Sequence, residues 1–168
     1  MLNIGVLGAA RITRDALIKP AAKVDGVEVV AIAARDRQRA TDAAGKHGIP
    51  RVLDSYEAML ADPQIDAVYI PLPNGLHGRW TLAAIDAGKH VLCEKPFTAN
   101  AAEARDVARA ANASSVVVMA GISRSNWPSR GLFRPVFSRR PTARRAAPRT
   151  PDYQTNGIRR LRVAANAR

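Results

Sequence analysis

The first 120 residues alternate short, largely β-branched apolar runs with longer mixed stretches. The runs are Asn3-Ile4-Gly5-Val6-Leu7, Val27-Glu28-Val29-Val30-Ala31-Ile32, Arg51-Val52-Leu53, Ala67-Val68-Tyr69-Ile70, His90-Val91-Leu92-Cys93 and Val116-Val117-Val118-Met119. Near-continuous apolarity over so few residues suits strands covered on both faces, whereas one-sided strands alternate. The stretches between carry helix starts: Asp36 ahead of Arg37, Ser55 ahead of Tyr56, and Asn100-Ala101-Ala102-Glu103. The last has the spacing of a capping box, in which the glutamate returns to the cap N–H. Strands separated by helices imply parallel βαβ units, and six of them predict an α/β fold with a doubly wound, mostly parallel sheet over residues 1–120. Such sheets take ligands outside the carboxyl ends of their strands, so a site is expected in the residues just after each run.

Charge changes the picture after Ala120. The formal charge is +12, yet 14 basic and 13 acidic residues precede that point, and 12 arginines, no lysine and one acid, Asp152, come after it. Residues 121–168 also hold five of the 11 prolines, arginine pairs at 139-140, 144-145 and 159-160, and no sustained apolar period. That composition predicts an irregular, disordered basic tail rather than a second packed domain. An Arg/Pro/Ala/Ser-rich stretch that starts abruptly at the end of a strand is also what a GC-rich gene yields out of frame, so a truncated or frameshifted product is the expectation. The alternative is a dinucleotide-binding module with a basic arm that binds nucleic acid or other anionic surfaces by counterion release. No apolar run approaches the roughly 18 residues of a membrane span. Cys93 is the only cysteine, which excludes an internal disulfide and favours a reducing, cytoplasmic setting.

Four strand ends carry candidate chemistry. After the first comes Gly8-Ala9-Ala10-Arg11-Ile12-Thr13, where a dinucleotide-binding sheet turns tightly into a helix and offers N–H groups to a pyrophosphate. Gly8 matches the turn glycine, but Ala10 and Thr13 stand where the second and third glycines would; a methyl group at Ala10 pushes a phosphate outward without removing the donors. A plain strand-turn-helix is the competing reading. The second strand ends Ala33-Ala34-Arg35-Asp36. A guanidinium there suits a 2′-phosphate, where a carboxylate would suit an unmodified ribose, so NADP is favoured and NAD is the second choice. Arg35 also reads as a solvated loop arginine, with Asp36 a helix cap in either case. In Pro71-Leu72-Pro73-Asn74-Gly75-Leu76-His77 two prolines stiffen the exit, Asn74 can cap the next helix, and His77 falls on the same side one turn on. The structural alternative makes Asn74 a cap only and His77 a surface or core histidine. The fifth strand ends Glu94-Lys95-Pro96. A lysine there could polarise a substrate hydroxyl or exchange its proton; a surface Glu-Lys pair beside a cis-capable proline is the plain alternative. Cys93 reads as a small core residue, not a nucleophile.

Together, Gly8-Ala9-Ala10-Arg11-Ile12, Ala33-Ala34-Arg35-Asp36, Pro73-Asn74-Gly75-Leu76-His77 and Glu94-Lys95-Pro96, in this order and at these spacings, resemble the Gfo/Idh/MocA family of NAD(P)-dependent oxidoreductases, in its branch of dimeric dihydrodiol and D-xylose dehydrogenases. The resemblance covers about residues 2 to 119. It implies that Gly8, Ala9, Ala10, Arg11 and Ile12 hold the pyrophosphate, Arg35 the adenosine end, and Pro73, Asn74 and His77 the ribose and nicotinamide side. It further implies that Glu94 contacts the nicotinamide ribose and that Lys95 is the catalytic lysine beside the transferring hydride. The implied reaction is reversible oxidation of a secondary alcohol on a sugar, inositol or diol. Family members continue into an α+β domain that carries substrate contacts and usually the oligomer interface; nothing from Gly121 onward resembles it. Cofactor binding with little or no turnover is therefore expected of this chain.

Overall fold

In the computed structural model, which describes residues 1–121, the apolar runs form six parallel strands. They are β1 (Leu2–Leu7), β2 (Val27–Ala33), β3 (Arg51–Leu53), β4 (Ala67–Ile70), β5 (His90–Cys93) and β6 (Val118–Ala120), in the spatial order β3-β2-β1-β4-β5-β6. The helices are α1 (Lys19–Ala21), α2 (Arg37–His47), α3 (Tyr56–Ala61), α4 (Asn74–Asp86) and α5 (Ala101–Ala113). Strand β4 shows why the runs are continuous: all four of its residues are buried. Val68 and Ile70 pack with Met59, Leu60, Trp80, Ala84 and Val107 on one face. Ala67 and Tyr69 pack with Leu17, Ala40 and Ala44 on the other. The strand order reverses between β1 and β4, and the crevice at their carboxyl ends is the topological switch point of the sheet.

The predicted caps are in place at α2, α3 and α5. Asp36 Oδ1 accepts from Arg39 N (3.2 Å), Ser55 Oγ from Ala58 N (3.0 Å) and Asn100 Oδ1 from Glu103 N (2.9 Å). The glutamate of the box returns one residue early, its Oε2 accepting from Ala99 N (3.0 Å) instead of the cap N–H. Other details depart from expectation. Pro73, not Asn74, occupies the cap of α4: its backbone is extended (φ −58°, ψ 144°), and Asn74 is the first helical residue. The first helix opens with a π-helical turn, Arg14–Ile18, before α1. Strand β6 begins two residues later than the apolar run because the Val117 N–H donates to His90 Nδ1 (2.9 Å). Among the described residues no helix is long and apolar enough to cross a membrane. The expectations of a disordered basic tail, a frameshift and an anion-binding arm fall on residues 122–168, outside the described residues.

Candidate functional site at the carboxyl ends of the strands

Gly8 leaves β1 at φ +110°, a backbone conformation that L side chains rarely adopt, and its N–H donates to Ala33 O at the end of β2 (2.7 Å). A Cβ on Gly8 would stand 2.9 Å from Leu72 Cδ2, in the loop after β4. Glycine here therefore lets the loops flanking the switch point touch. Beyond it, Arg11 and Ile12 are exposed, Ile12 at 50%. Thr13, in the place of the third fingerprint glycine, is 3% exposed, and its hydroxyl finds no hydrogen-bond partner among the described residues.

The end of β2 is positively charged. Arg35 is exposed, and Arg39, one turn into α2, reaches back so that its Nη2 donates to Ala9 O (3.4 Å). Both flank the hydroxyl of Tyr56 from α3, which lies 3.9 Å from the position of a Gly8 Cβ. Burial pushes that phenol's pKa up, and the Arg35 backbone N–H and the Arg35 and Arg39 charges pull part of the way back. Among the described residues Arg37 is paired with Asp54, while Arg35 and Arg39 form no ion pair with a carboxylate. Two guanidiniums without a carboxylate partner among the described residues, with a phenol between them, have the chemistry to hold a dianion such as a phosphate monoester. The Tyr56 ring is held in turn by Trp80 of α4, edge-on with centroids 4.9 Å apart.

The exits of β4 and β5 are tied together by His77. The imidazole is 1% exposed, with Nε2 2.5 Å from Leu72 O and Nδ1 2.6 Å from Pro96 O. Both ring nitrogens thus face backbone carbonyls, and neither is free for a ligand. The expectation of direct cofactor contact from His77 gives way to a positioning role: it clamps the Leu72 loop to the Lys95–Pro96 bend, whose peptide bond is cis. Pro73 and Asn74 are exposed at the start of α4.

Glu94 and Lys95 come directly after β5. Tyr69 of β4 donates its hydroxyl to Glu94 Oε1 (2.7 Å), and Lys95 N donates to Oε2 (3.3 Å). Gly121, at the end of β6, donates its N–H to Cys93 O (2.6 Å), and a Cβ on it would lie 3.2 Å from Glu94 Oε2. The Glu94 carboxylate therefore lies over the ends of β4, β5 and β6. The Lys95 side chain is exposed beside it. Cys93 is buried, and burial pushes its thiol up to about 12, which fits a core residue and not a nucleophile. Arg39, Tyr56 and Tyr69 were missed by sequence reasoning. Arg39 was detectable as a second arginine one turn beyond Arg35, whereas the tyrosines carry no local signal.

A family model for oxidoreductases with an NAD-binding Rossmann fold, Gfo/Idh/MocA, matches residues 2–122. D-xylose 1-dehydrogenase (NADP(+)) 2 of Haloferax volcanii is 54% identical over 102 residues, 61% of this chain and 31% of that protein. Trans-1,2-dihydrobenzene-1,2-diol dehydrogenase of Sus scrofa is 39% identical over 111 residues, 66% of this chain and 33% of that protein. The structure of KijD10, a 3-ketoreductase from Actinomadura kijaniata in complex with NADP and TDP-benzene, superposes with a TM-score of 0.67 at 34% identity, covering 71% of this chain and 37% of that one. The chain spans about a third of the length of the curated relatives it matches. With sheet order, strand-end motifs and residues 2–122 in agreement, the chain belongs to the Gfo/Idh/MocA oxidoreductase family.

Proposed function

We propose that residues 1–120 are a dinucleotide-binding unit for NADP(H), serving hydride transfer to or from a secondary alcohol of a sugar, inositol or diol. The observation that carries the cofactor is the Arg35–Tyr56–Arg39 cluster beside the Gly8 turn. The residues present fit the group. Gly8 makes the tight turn that brings the β1 and β4 loops together at the switch point, and Thr13 holds an orphaned buried hydroxyl at the start of the first helix. The xylose dehydrogenase carries NADP(+) in its name and KijD10 was crystallised with NADP, which supports the same choice.

In this reading Gly8, Ala9, Ala10, Arg11 and Ile12 hold the pyrophosphate, and Arg35 with Arg39 the 2′-phosphate. Pro73 and Asn74 border the nicotinamide side, held in place by His77 from below. Glu94 binds the nicotinamide ribose. NADP(H), when bound, supplies or accepts the hydride. Lys95 is the catalytic lysine: its exposed ammonium donates to the reacting oxygen and stabilises the charge that develops there. Substrate recognition is assigned to residues beyond this unit, so residues 1–120 by themselves bind cofactor with little or no turnover.

Calorimetric titration of the full chain tests this. NADPH is expected to bind more tightly than NADH, and Arg35→Asp to erase about tenfold of that preference. A folded chain that binds neither nucleotide overturns the proposal; binding with an unchanged ratio in Arg35→Asp removes Arg35 from its role.

A further inference from the structure

We propose that Tyr69 is a positioning residue that orients the Glu94 carboxylate from beneath the sheet. The inference rests on the dinucleotide reading above, since it concerns how Glu94 meets the nicotinamide ribose.

Tyr69 is 1% exposed, and its ring packs in the core with Val6, Leu17 and Ile32. A ring so confined has one direction for its hydroxyl, and that direction ends on Glu94 Oε1 at 2.7 Å. Burial, reinforced by the Glu94 charge, keeps the phenol protonated, so it acts as donor and the carboxylate as acceptor. The other carboxylate oxygen is bounded by Lys95 N at 3.3 Å and by the space above Gly121. Glu94 sits after β5 in a bend where its own backbone N–H donates to Ile70 O (3.1 Å), so the main chain is anchored, and Tyr69 makes the shorter of the two hydrogen bonds that hold the side chain. Without the phenol the carboxylate could rotate toward water, and each cofactor contact it makes would first require that freedom to be lost. A buried tyrosine that never touches the ligand thereby sets the geometry of one that does.

The test compares NADPH with adenosine 2′,5′-bisphosphate, which carries the adenosine end alone, as ligands of the full chain. Tyr69→Phe is expected to weaken NADPH about tenfold, the weight of one hydrogen bond to a charged group, and to leave the bisphosphate within about twofold. Glu94→Gln is expected to give the same split, and the double variant no further loss. A general loosening of the fold would weaken both ligands alike, and that result overturns the proposal, as does an undiminished NADPH affinity or additive losses in the double variant. Should Tyr69→Phe not fold, the wild-type chain still decides: the Tyr69 hydroxyl proton, followed by NMR, shifts on adding NADPH and not on adding the bisphosphate. No shift with NADPH overturns the inference. Failure of the wild type to bind either ligand instead overturns the dinucleotide reading on which it rests.

Discussion

Replacing Gly8 by alanine perturbs the site at its narrowest point, and its cost divides into two separable parts. The first is backbone strain, because φ +110° sets Cβ against the neighbouring carbonyls for about 1–2 kcal/mol. The second is steric, since the new methyl would stand 2.9 Å from Leu72 Cδ2, and overpacking of this kind costs about 1–3 kcal/mol. The sum, about 2–5 kcal/mol, lowers a urea midpoint by on the order of 1–3 M at the slope usual for small domains. Leu72→Ala tells the parts apart. In the double variant the steric part vanishes while the strain remains, so Gly8→Ala should cost about 1–3 kcal/mol less against alanine at 72 than against leucine. Urea unfolding of the four chains, followed by circular dichroism, measures this. A single-variant loss below about 0.5 kcal/mol, or strict additivity in the cycle, refutes the claim that this glycine exists to let the two loops meet.

Other consequences are open to the same kind of measurement. His77→Phe keeps a buried ring but removes the ring nitrogens that face Leu72 O and Pro96 O, whichever of the two accepts the ring N–H; unfolding should show a loss of about 1–3 kcal/mol, and a neutral result removes His77 from its clamping role. Burial holds His90 below its ordinary value, with Asp66 opposing, while its Nδ1 accepts from Val117 N. The unfolded chain therefore takes up the proton first: stability is intact above pH about 6.5 and falls as pH drops from there toward the lowered folded value. His90→Gln should flatten that slope in unfolding curves measured from pH 5 to 8. Cys93 should resist a thiol reagent in the folded chain at pH 8 and react at once in denaturant, since burial holds its thiol at about 12.

The strands were legible because most of their positions are buried or half-buried, which writes itself into short apolar runs and is most complete in β4; the caps at Asp36, Ser55 and Asn100 follow from capping chemistry. Boundaries failed where a side chain or ring competes with the local pattern. His90 takes the Val117 N–H and delays β6, and Pro73 takes the cap expected of Asn74. At the site, Gly8, Arg35, Glu94 and Lys95 could be named because they lie just past strands, and a parallel sheet gathers its strand ends at one edge. Arg39, Tyr56 and Tyr69 act on residues far away in the chain. Tyr69 looks like any apolar strand position until the fold sets its hydroxyl under Glu94. The spacing of His77 from Asn74 points it toward a ligand but says nothing of the carbonyls that close over both its nitrogens.

The contact between Glu94 and Gly121 has an architectural consequence. Because β6 ends beside β5, a side chain at position 121 would press on the carboxylate, whose own residue is the immediate neighbour of Lys95. The end of β6 is thus a natural graft point. Different continuations attached there would each start beside Glu94, while the turns after β1 and β2 stay untouched on the far side of the switch point.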